Sequence, residues 1–267
     1  MNLSNNLTKQ IRKLVLSLLK LTSKDISIRH HFTGNLFLLN SYKHKGYWYY
    51  GKKREQNSMK IFSEIIKPGM NVLEIGGHIG YLTTYYSSLV GPSGKVVVFE
   101  PGKNNLKYLY SNVKNSNAGN VIIEELAAGN QNSNMTFYLD HITGQNNTLV
   151  KSFEGFEKNR ELSAEPESEY TTDSVTVVKL DDYLIKKELP DFVKIDIEGY
   201  EWECIEGFKA TIENKRPILM IEIQANQEKI INYFISLNYK ICNDMMVEIK
   251  SLKDFKNIGT PNIFFFP

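Results

Sequence analysis

A carboxylate and three glycines lie close together in the segment EIGGHIG, residues 74–80. Glu74 is embedded in a short apolar run with Val72, Leu73 and Ile75, which is typical of a buried parallel strand. The glycines that follow allow the backbone to turn sharply and to approach a ligand closely. A helix is predicted directly afterwards, so the segment has the strand, glycine turn and helix order of a nucleotide-binding site.

The charge of Glu74 limits the kind of nucleotide that this site would bind. The pyrophosphate of a dinucleotide binds over a helix N-terminus, which favours anions, and a carboxylate just before the glycines would repel it. The same carboxylate would attract the ammonium and sulfonium groups of S-adenosylmethionine. The glycine spacing G-G-x-x-G also departs from the dinucleotide spacing G-x-G-x-x-G. A tight turn beside a buried, satisfied acid is the structural alternative.

A second acid, Glu100, ends the next predicted strand, KVVVFE at 95–100. An acid at this point of a βαβ unit is placed to accept both ribose hydroxyls of a bound nucleotide. A helix N-cap or a surface charge is the alternative for this residue. The third predicted strand, residues 121–126, is followed by Ala127, Ala128 and Gly129, small residues that suit the edge of an adenine ring.

Three polar residues, Lys194, Asp196 and Glu198, alternate along a later apolar strand. Alternate strand residues share one face, and the site of a doubly wound sheet lies at the C-terminal ends of its strands. Asp196, Glu198 and His78 are therefore the candidate general bases, and we expect Lys194 to pair with the acids. Asp196 and Glu222 could instead hold Mg²⁺, because two carboxylates with substrate oxygens suit this ion.

The elements around these residues alternate between strands and helices, which is typical of an α/β fold with a parallel sheet. Helices are predicted over 55–66, 81–90, 104–114 and 226–237. Strands are predicted over 72–75, 95–100, 121–126, 135–139, 175–180, 191–197, 218–223, 240–242 and 262–266.

The composition is that of an ordinary globular protein, with 42% hydrophobic and 23% charged residues. Two cysteines, Cys204 and Cys242, do not make a disulfide framework, which favours a reducing, cytoplasmic compartment. No segment reaches the roughly 20 apolar residues of a membrane span. The charges of Arg12, Lys13 and Lys20 interrupt the longest candidate and argue against a signal peptide.

The charges are unevenly distributed, since residues 1–60 carry twelve Lys or Arg against two acids. We therefore divide the chain into a basic N-terminal extension, residues 1–54, and a main domain, residues 55–267. Apolar residues recur at helical spacing from Leu7 to Leu19. This helix would pack on its own domain or on a second subunit, giving a homodimer, or would lie on an anionic membrane surface through residues 1–30.

Two further segments have no regular pattern of apolar residues. Residues 22–55 are rich in aromatic and basic side chains, which would cap the mouth of the site or simply pack beneath a loop. Residues 152–173 are acidic and read as a solvated loop or as a lid over the substrate.

Five segments in this order resemble the FkbM-type methyltransferases, a branch of the class I S-adenosylmethionine-dependent enzymes. The resemblance covers about residues 55–267 and implies a doubly wound, seven-stranded, mostly parallel sheet with an antiparallel last strand. The glycine loop departs from the family's common Asp-x-Gly-Ala-Asn-x-Gly at Glu74, Gly77 and His78. The segments are EIGGHIG (74–80), FEP (99–101), KLDDYL (179–184), KIDIEGYEWECIEG (194–207) and RPILMIEI (216–223).

The resemblance also implies site roles. Glu74 and the glycine loop would hold the methionine moiety, Glu100 the ribose, and Asp196 would lie beside the transferable methyl group. The full set of expected cofactor contacts is Glu74, Gly76, Gly77, His78, Gly80, Tyr81, Glu100, Pro101, Asn105, Ala127 and Asp196.

The implied reaction is an in-line displacement of methyl from the sulfonium to a nucleophile, and an alcohol acceptor must also lose its proton to a base. We expect the acceptor to be a hydroxyl of a sugar, a glycolipid or another small-molecule natural product. Transfer to nitrogen, nucleic acid or protein, and a non-catalytic cofactor-binding scaffold, stay open. Residues 61–267 carry more acids than bases and lack an Asn/Asp-Pro-Pro-aromatic motif, which argues against nucleic acid.

Overall fold

The structure is a computed structural model that describes residues 15–141, 143–151, 170–258 and 260–267. Its strands are β1 (Asp25–Arg29), β2 (Leu36–Asn40), β3 (Asn71–Ile75), β4 (Lys95–Phe99), β5 (Val121–Glu124), β6 (Ala127–Ala128), β7 (Ser133–Leu139), β8 (Thr171–Val178), β9 (Phe192–Ile195), β10 (Ile218–Glu222), β11 (Lys240–Asn243) and β12 (Asn262–Phe266). Its helices are α1 (Lys45–Tyr50), α2 (Gln56–Ile65), α3 (Tyr81–Val90), α4 (Lys103–Asn115), α5 (Leu180–Tyr183), α6 (Glu201–Glu206), α7 (Lys209–Lys215), α8 (Gln227–Ser236) and α9 (Leu252–Ile258).

Seven of the strands form one sheet in the order β11-β12-β10-β9-β3-β4-β5. The pairs β10–β9, β9–β3, β3–β4 and β4–β5 are parallel, whereas β12 runs antiparallel to both β10 and β11. The predicted α/β fold, with its seven-stranded, mostly parallel sheet and antiparallel last strand, is confirmed. Strand β3, which carries Glu74 and precedes the glycine loop, lies in the interior of the sheet between β4 and β9. Its C-terminal end lies beside the C-terminal ends of both neighbours.

Two apolar cores cover the opposite faces of this sheet. One contains Ile195, Ile221 and Phe265 together with Phe234 of α8. The other contains Phe192 and Phe264 together with residues of α2 and α3. The central strands are apolar on both faces because helices bury both of them, which explains why they read as continuous hydrophobic runs.

The strands predicted near 135–139 and 175–180 are outside the main sheet. With the short β6 they form a separate three-stranded sheet in the order β6-β8-β7, in which β7 and β8 pair antiparallel over their whole length. Their own small core includes Phe137 and Val177. The prediction identified these strands but not the second sheet.

Residues 22–55, for which no pattern was found, contain the β1–β2 hairpin and α1. The hairpin is attached to α4 through Asn112, which accepts a hydrogen bond from the Leu38 amide at 2.6 Å and donates to the Leu38 carbonyl at 3.0 Å. Tyr108 of α4 also donates to Asp25 at 2.6 Å. The basic extension is thus packed against the main domain from β1 onwards.

The predicted N-terminal helix is described only in part. Residues 15–21 are helical, whereas Leu7, Ile11 and Leu14 of its apolar face lie outside the described residues, as does most of the acidic stretch 152–173. Within the described ranges, no helix has the length and apolar character needed to span a bilayer.

Candidate active site

The glycine loop follows β3 and turns tightly against the end of β9. The amides of Gly76 and Gly77 both donate to the Phe99 carbonyl at 3.0 Å, which ties the loop to the end of β4. Gly76 has a φ of 88°, and a Cβ atom there would collide with the Asp196 carbonyl oxygen. Only glycine fits this position, because the backbone conformation and the neighbouring strand both exclude a side chain.

Glu74 of β3 is buried, and Lys194 of β9 lies directly opposite it in the strand pairing. Burial raises the pKa of Glu74 to about 7, although Lys194 and a 2.6 Å hydrogen bond from the Thr83 hydroxyl favour the carboxylate. Lys194 forms an ion pair with Asp196 at 2.9 Å and donates to the Gly76 carbonyl at 3.0 Å. Burial opposes the charge of Lys194, but Asp196 and Glu74 outweigh it and raise its pKa.

Glu100 directly follows β4 and is buried beside the glycine loop. Its Oε2 accepts the His78 amide at 2.7 Å, and its Oε1 accepts the Gly102 amide at 2.9 Å. Asn105 donates to the same Oε1 at 3.4 Å. Burial raises the pKa of Glu100 to about 7 against these hydrogen bonds. The carboxylate therefore links the two loops that end β3 and β4.

His78 is the residue at which the loop departs most from the family pattern. Its φ is 48°, and its Nδ1 shares a 3.1 Å hydrogen bond with the hydroxyl of Tyr47 in α1. Burial lowers the pKa of His78 well below its ordinary value, and His44 adds to this effect. The ring is therefore neutral at pH 7, with one nitrogen that donates a hydrogen bond and one that accepts.

Three carboxyl groups meet at the ends of β9 and β10. Asp196 and burial raise the pKa of Glu222 to about 8, and burial and Asp196 raise the pKa of Glu198 well above its ordinary value. Gln224 donates to Glu222 at 2.7 Å. Because like charges at one site cannot all ionise, Glu198 and Glu222 hold protons at neutral pH.

These groups do not form a recognisable metal centre. Among the described residues, no set of three or more His, Cys, Asp or Glu side chains is arranged to hold a metal ion. Lys194 already provides the positive charge beside Asp196. The Mg²⁺ site predicted at Asp196 and Glu222 thus gains no support from the described residues.

One cavity of about 660 Å³ joins these groups, within the size range of small-molecule sites. Gly80 is not part of its lining and instead precedes α3. The predicted site residues that line it are Glu74, Gly76, Gly77, His78, Tyr81, Glu100, Pro101, Asn105, Ala127, Asp196, Glu198 and Glu222.

Several lining residues were not predicted as site residues. Tyr47, Arg54 and Glu55 come from residues 22–55. The guanidinium carbon of Arg54 lies 4.3 Å from the centre of the Tyr47 ring, and its Nε is 3.2 Å from Glu55. Asn146, Gln224 and neighbouring residues add amide groups. The mixture of aromatic and basic residues in 22–55 was the available signal, but it did not specify which side chains face inward.

The charges of the cavity favour a cationic ligand. Among the described lining residues, Lys194 and Arg54 are the cationic side chains, against the four carboxyl groups of Glu55, Glu74, Glu100 and Asp196, while Glu198 and Glu222 hold protons. This excess fits a ligand that carries ammonium and sulfonium groups and no phosphate.

Comparisons with solved structures return proteins of low identity. Methyltransferase FkbM from Methylobacillus flagellatus KT is 17% identical, with a TM-score of 0.48. The match covers 78% of the present chain but only 50% of the Methylobacillus protein. An rRNA methylase from Streptococcus thermophilus is 12% identical (TM-score 0.41; 78% and 91% covered). Aeropyrum pernix fibrillarin, with natively bound S-adenosyl-L-methionine, is 12% identical (TM-score 0.38; 79% and 73% covered).

No curated protein sequence matches the chain. The family of the chain is given by a sequence match to the methyltransferase FkbM domain over residues 74–245. This match includes the glycine loop, Glu100 and the carboxylate cluster, and it spans more than half of the chain. The chain therefore belongs to the FkbM family of S-adenosylmethionine-dependent methyltransferases.

Proposed function

We propose that this protein transfers a methyl group from S-adenosylmethionine to a hydroxyl of a sugar, a glycolipid or another small molecule. One observation carries the proposal. A single cavity is lined both by the glycine loop with Glu100 and by the carboxyl cluster of Asp196, Glu198 and Glu222. A nucleoside-binding half and an acid–base half therefore share one space, which is what methyl transfer to a hydroxyl requires.

The cofactor-binding half consists of residues whose chemistry suits each part of S-adenosylmethionine. When bound, this cofactor supplies a methyl group on an electrophilic sulfonium. Glu74 provides negative charge for the ammonium group, and Glu100 accepts hydrogen bonds from ribose hydroxyls. Gly76 and Gly77 let the loop pack tightly against β9 and β4, because a Cβ atom at either position would collide with Asp196 or Val98, and both residues line the cavity.

The acceptor hydroxyl must lose its proton, and we assign this role to Asp196. Glu198 and Glu222 have raised pKa values and hold protons at neutral pH, so they serve as hydrogen-bond donors. His78 is neutral, but its Nδ1 is engaged by the Tyr47 hydroxyl. Asp196 is held in place by its ion pair with Lys194, and general base catalysis of this kind contributes about 10²–10⁴-fold.

The polar side chains of the cavity lining support a polyhydroxylated acceptor. Asn146 and Gln224 carry amide groups that both donate and accept hydrogen bonds. The protonated carboxyls add further donors. Tyr47 and Tyr81 contribute aromatic faces, which suit the apolar side of a sugar ring or of a natural-product skeleton.

The first test is calorimetric titration of the purified protein with S-adenosylmethionine and S-adenosylhomocysteine. We expect micromolar binding that Glu100→Ala weakens by at least about tenfold, since the variant loses charge-assisted hydrogen bonds. Glu64→Ala, a change at an exposed carboxylate, serves as the control. If the wild-type protein binds neither ligand, a non-catalytic scaffold replaces our proposal.

The second test is an acceptor screen that measures S-adenosylhomocysteine release, with and without Mg²⁺. We expect turnover with hydroxylated acceptors, and we expect Asp196→Asn to lower kcat by at least about 10²-fold. The affinity for S-adenosylmethionine should change only a few fold in this variant. Turnover with amine acceptors alone would mean that the enzyme methylates nitrogen, and turnover with nucleic acid alone would mean that nucleic acid is the substrate.

A further inference from the structure

Helix α1 presents different residues to the cavity and to the solvent. Tyr47 is buried and contacts His78 inside the cavity. The next three residues are exposed aromatics: Trp48 at 37%, Tyr49 at 71% and Tyr50 at 58%. Their rings touch one another edge to face, with centroids 6.4 Å and 5.0 Å apart. A helix that lines the site thus carries a continuous aromatic surface on its outside.

The aromatic surface belongs to a stretch of chain that carries positively charged but no negatively charged side chains. Residues 41–54 contain no Asp or Glu, and Arg54 points into the cavity. The other cations of this stretch are Lys43, Lys45, Lys52 and Lys53, and the last two are exposed. We call Lys43, Lys45, Trp48, Tyr49, Tyr50, Lys52 and Lys53 the α1 surface.

A second group of exposed apolar side chains belongs to a helical segment that hydrogen bonds connect to the α1 surface. Val15, Leu18 and Leu21 of the helical residues 15–21 are 54%, 54% and 84% exposed. Three residues after Leu21, the Lys24 amide donates to the Ser41 hydroxyl at 3.1 Å, and the Ser41 amide donates to the Lys24 carbonyl at 2.9 Å. The indole of Trp48 donates to the Ser41 carbonyl at 2.8 Å.

We propose that the α1 surface docks the protein onto an anionic lipid membrane. Tyr and Trp favour the headgroup region of a bilayer, and clustered lysines are attracted to its negative surface. Basic and aromatic residues together also suit single-stranded nucleic acid. The adjoining aliphatic side chains, Val15, Leu18 and Leu21, favour the membrane, because they bury in lipid but do not stack on bases.

Membrane docking would bring the cavity close to the lipid surface. Trp48, Tyr49 and Tyr50 would face the membrane, while Tyr47 of the same short helix contacts His78. This part of the inference rests on the proposed function and favours an acceptor that is itself membrane-bound, such as a glycolipid. Docking itself does not depend on the identity of the acceptor, so vesicle binding and methyl transfer can be tested separately.

The experiment is co-sedimentation of the full-length protein with vesicles of phosphatidylcholine alone or with 30% phosphatidylglycerol, at about 0.1 M salt. We expect binding to the anionic vesicles only. Lys52→Glu/Lys53→Glu should weaken it by at least about tenfold, and Tyr49→Ala/Tyr50→Ala should also weaken it severalfold. Each side chain is exposed, so both variants should fold, and calorimetry should give unchanged affinity for S-adenosylmethionine.

Matched controls change the same properties elsewhere on the surface. Lys67→Glu/Lys253→Glu has the same charge change at exposed positions, and Ile185→Ala/Met245→Ala removes apolar side chains that are 64% and 62% exposed. Both should bind vesicles like the wild type. The proposal is overturned if neither vesicle type is bound, or if the α1 variants bind as well as the controls. Binding of a single-stranded RNA but of no vesicle, lost in the same variants, would identify nucleic acid instead.

Discussion

Glu74 and Lys194 lie directly opposite each other on the parallel strands β3 and β9, and both are buried. Lys194 also forms the ion pair with Asp196 at 2.9 Å and donates to the Gly76 carbonyl. One lysine thus connects the acid of the cofactor loop to the acid that we assign as general base. The electrostatics of the two halves of the cavity are therefore coupled through this side chain.

The first prediction concerns the removal of this lysine. Lys194→Met leaves Asp196 and Glu74 without their buried positive partner, so we expect the free energy of unfolding to fall by about 3–5 kcal/mol. Urea denaturation measures the change. Lys215→Met removes a lysine from the partly exposed pair with Asp191 and should cost at most about 1 kcal/mol. Equal losses in the two variants would contradict the role of Lys194.

The second prediction concerns the pH dependence of stability. The pKa of Glu222 is raised to about 8 and those of Glu74 and Glu100 to about 7, from 4.5 in the unfolded chain. The folded state therefore retains protons that the unfolded state releases, and the resulting stability is lost as the pH rises through 7 to 8. His30 and His44, with pKa values lowered to about 4 and 3, act in the opposite direction only below pH 6.5.

We therefore expect the free energy of unfolding, measured in urea without cofactor, to fall between pH 6.5 and 8.5. Each carboxyl contributes a slope of at most about 1.4 kcal/mol per pH unit. Glu222→Gln should make the dependence shallower, whereas Glu64→Gln, at an exposed carboxylate, should not. A stability that does not fall over this pH range would show that these carboxyl groups are already ionised in the folded protein.

The third prediction links these protons to the cofactor. A cationic ligand beside Glu74 favours the carboxylate, so S-adenosylmethionine should displace protons when it binds near pH 7. Calorimetry in phosphate and in Tris buffer should give different heats, corresponding to release of about half a proton per responsive carboxyl. Glu74→Gln should reduce this difference. Identical heats in the two buffers would mean that the carboxyl groups do not respond to the ligand.

The sequence was sufficient to predict those parts of the fold in which the local conformational preference of a segment agrees with its place in the folded protein. The run from Val72 to Ile75, followed by glycines, specifies a buried strand and a tight turn, and Glu100 lies where the βαβ unit requires it. Asn238, which follows α8 and is of a residue type that tolerates a left-handed conformation, has a φ of 57°. In each case a short stretch of sequence carries the whole signal.

The rest of the cavity depends on contacts between distant segments. Tyr47, Arg54 and Glu55 reach the cavity because the β1–β2 hairpin packs on α4, and no local pattern encodes that docking. The hairpin has only a weak sequence pattern, because Ile26 and Ile28 alternate with polar residues in β1. A strand of this length is too short for the alternation to be distinctive. Pairing of β8 with both β6 and β7 was likewise invisible, because β6 has only two residues.

The last prediction tests the close packing between the glycine loop and β9. Gly76 and Gly34 both have positive φ angles, 88° and 75°, so alanine is strained at either position by about 1 kcal/mol or more. A Cβ atom at Gly34 meets nothing within 4 Å, whereas one at Gly76 collides with the Asp196 carbonyl.

Gly76→Ala must therefore displace the loop or the end of β9, and we expect it to abolish measurable binding of S-adenosylmethionine in calorimetry. Gly34→Ala should lower the melting temperature slightly and leave the affinity unchanged. Since backbone strain is common to both variants, a difference between them isolates the contact with Asp196; similar affinities would mean that the loop can move away from β9 without losing the cofactor site.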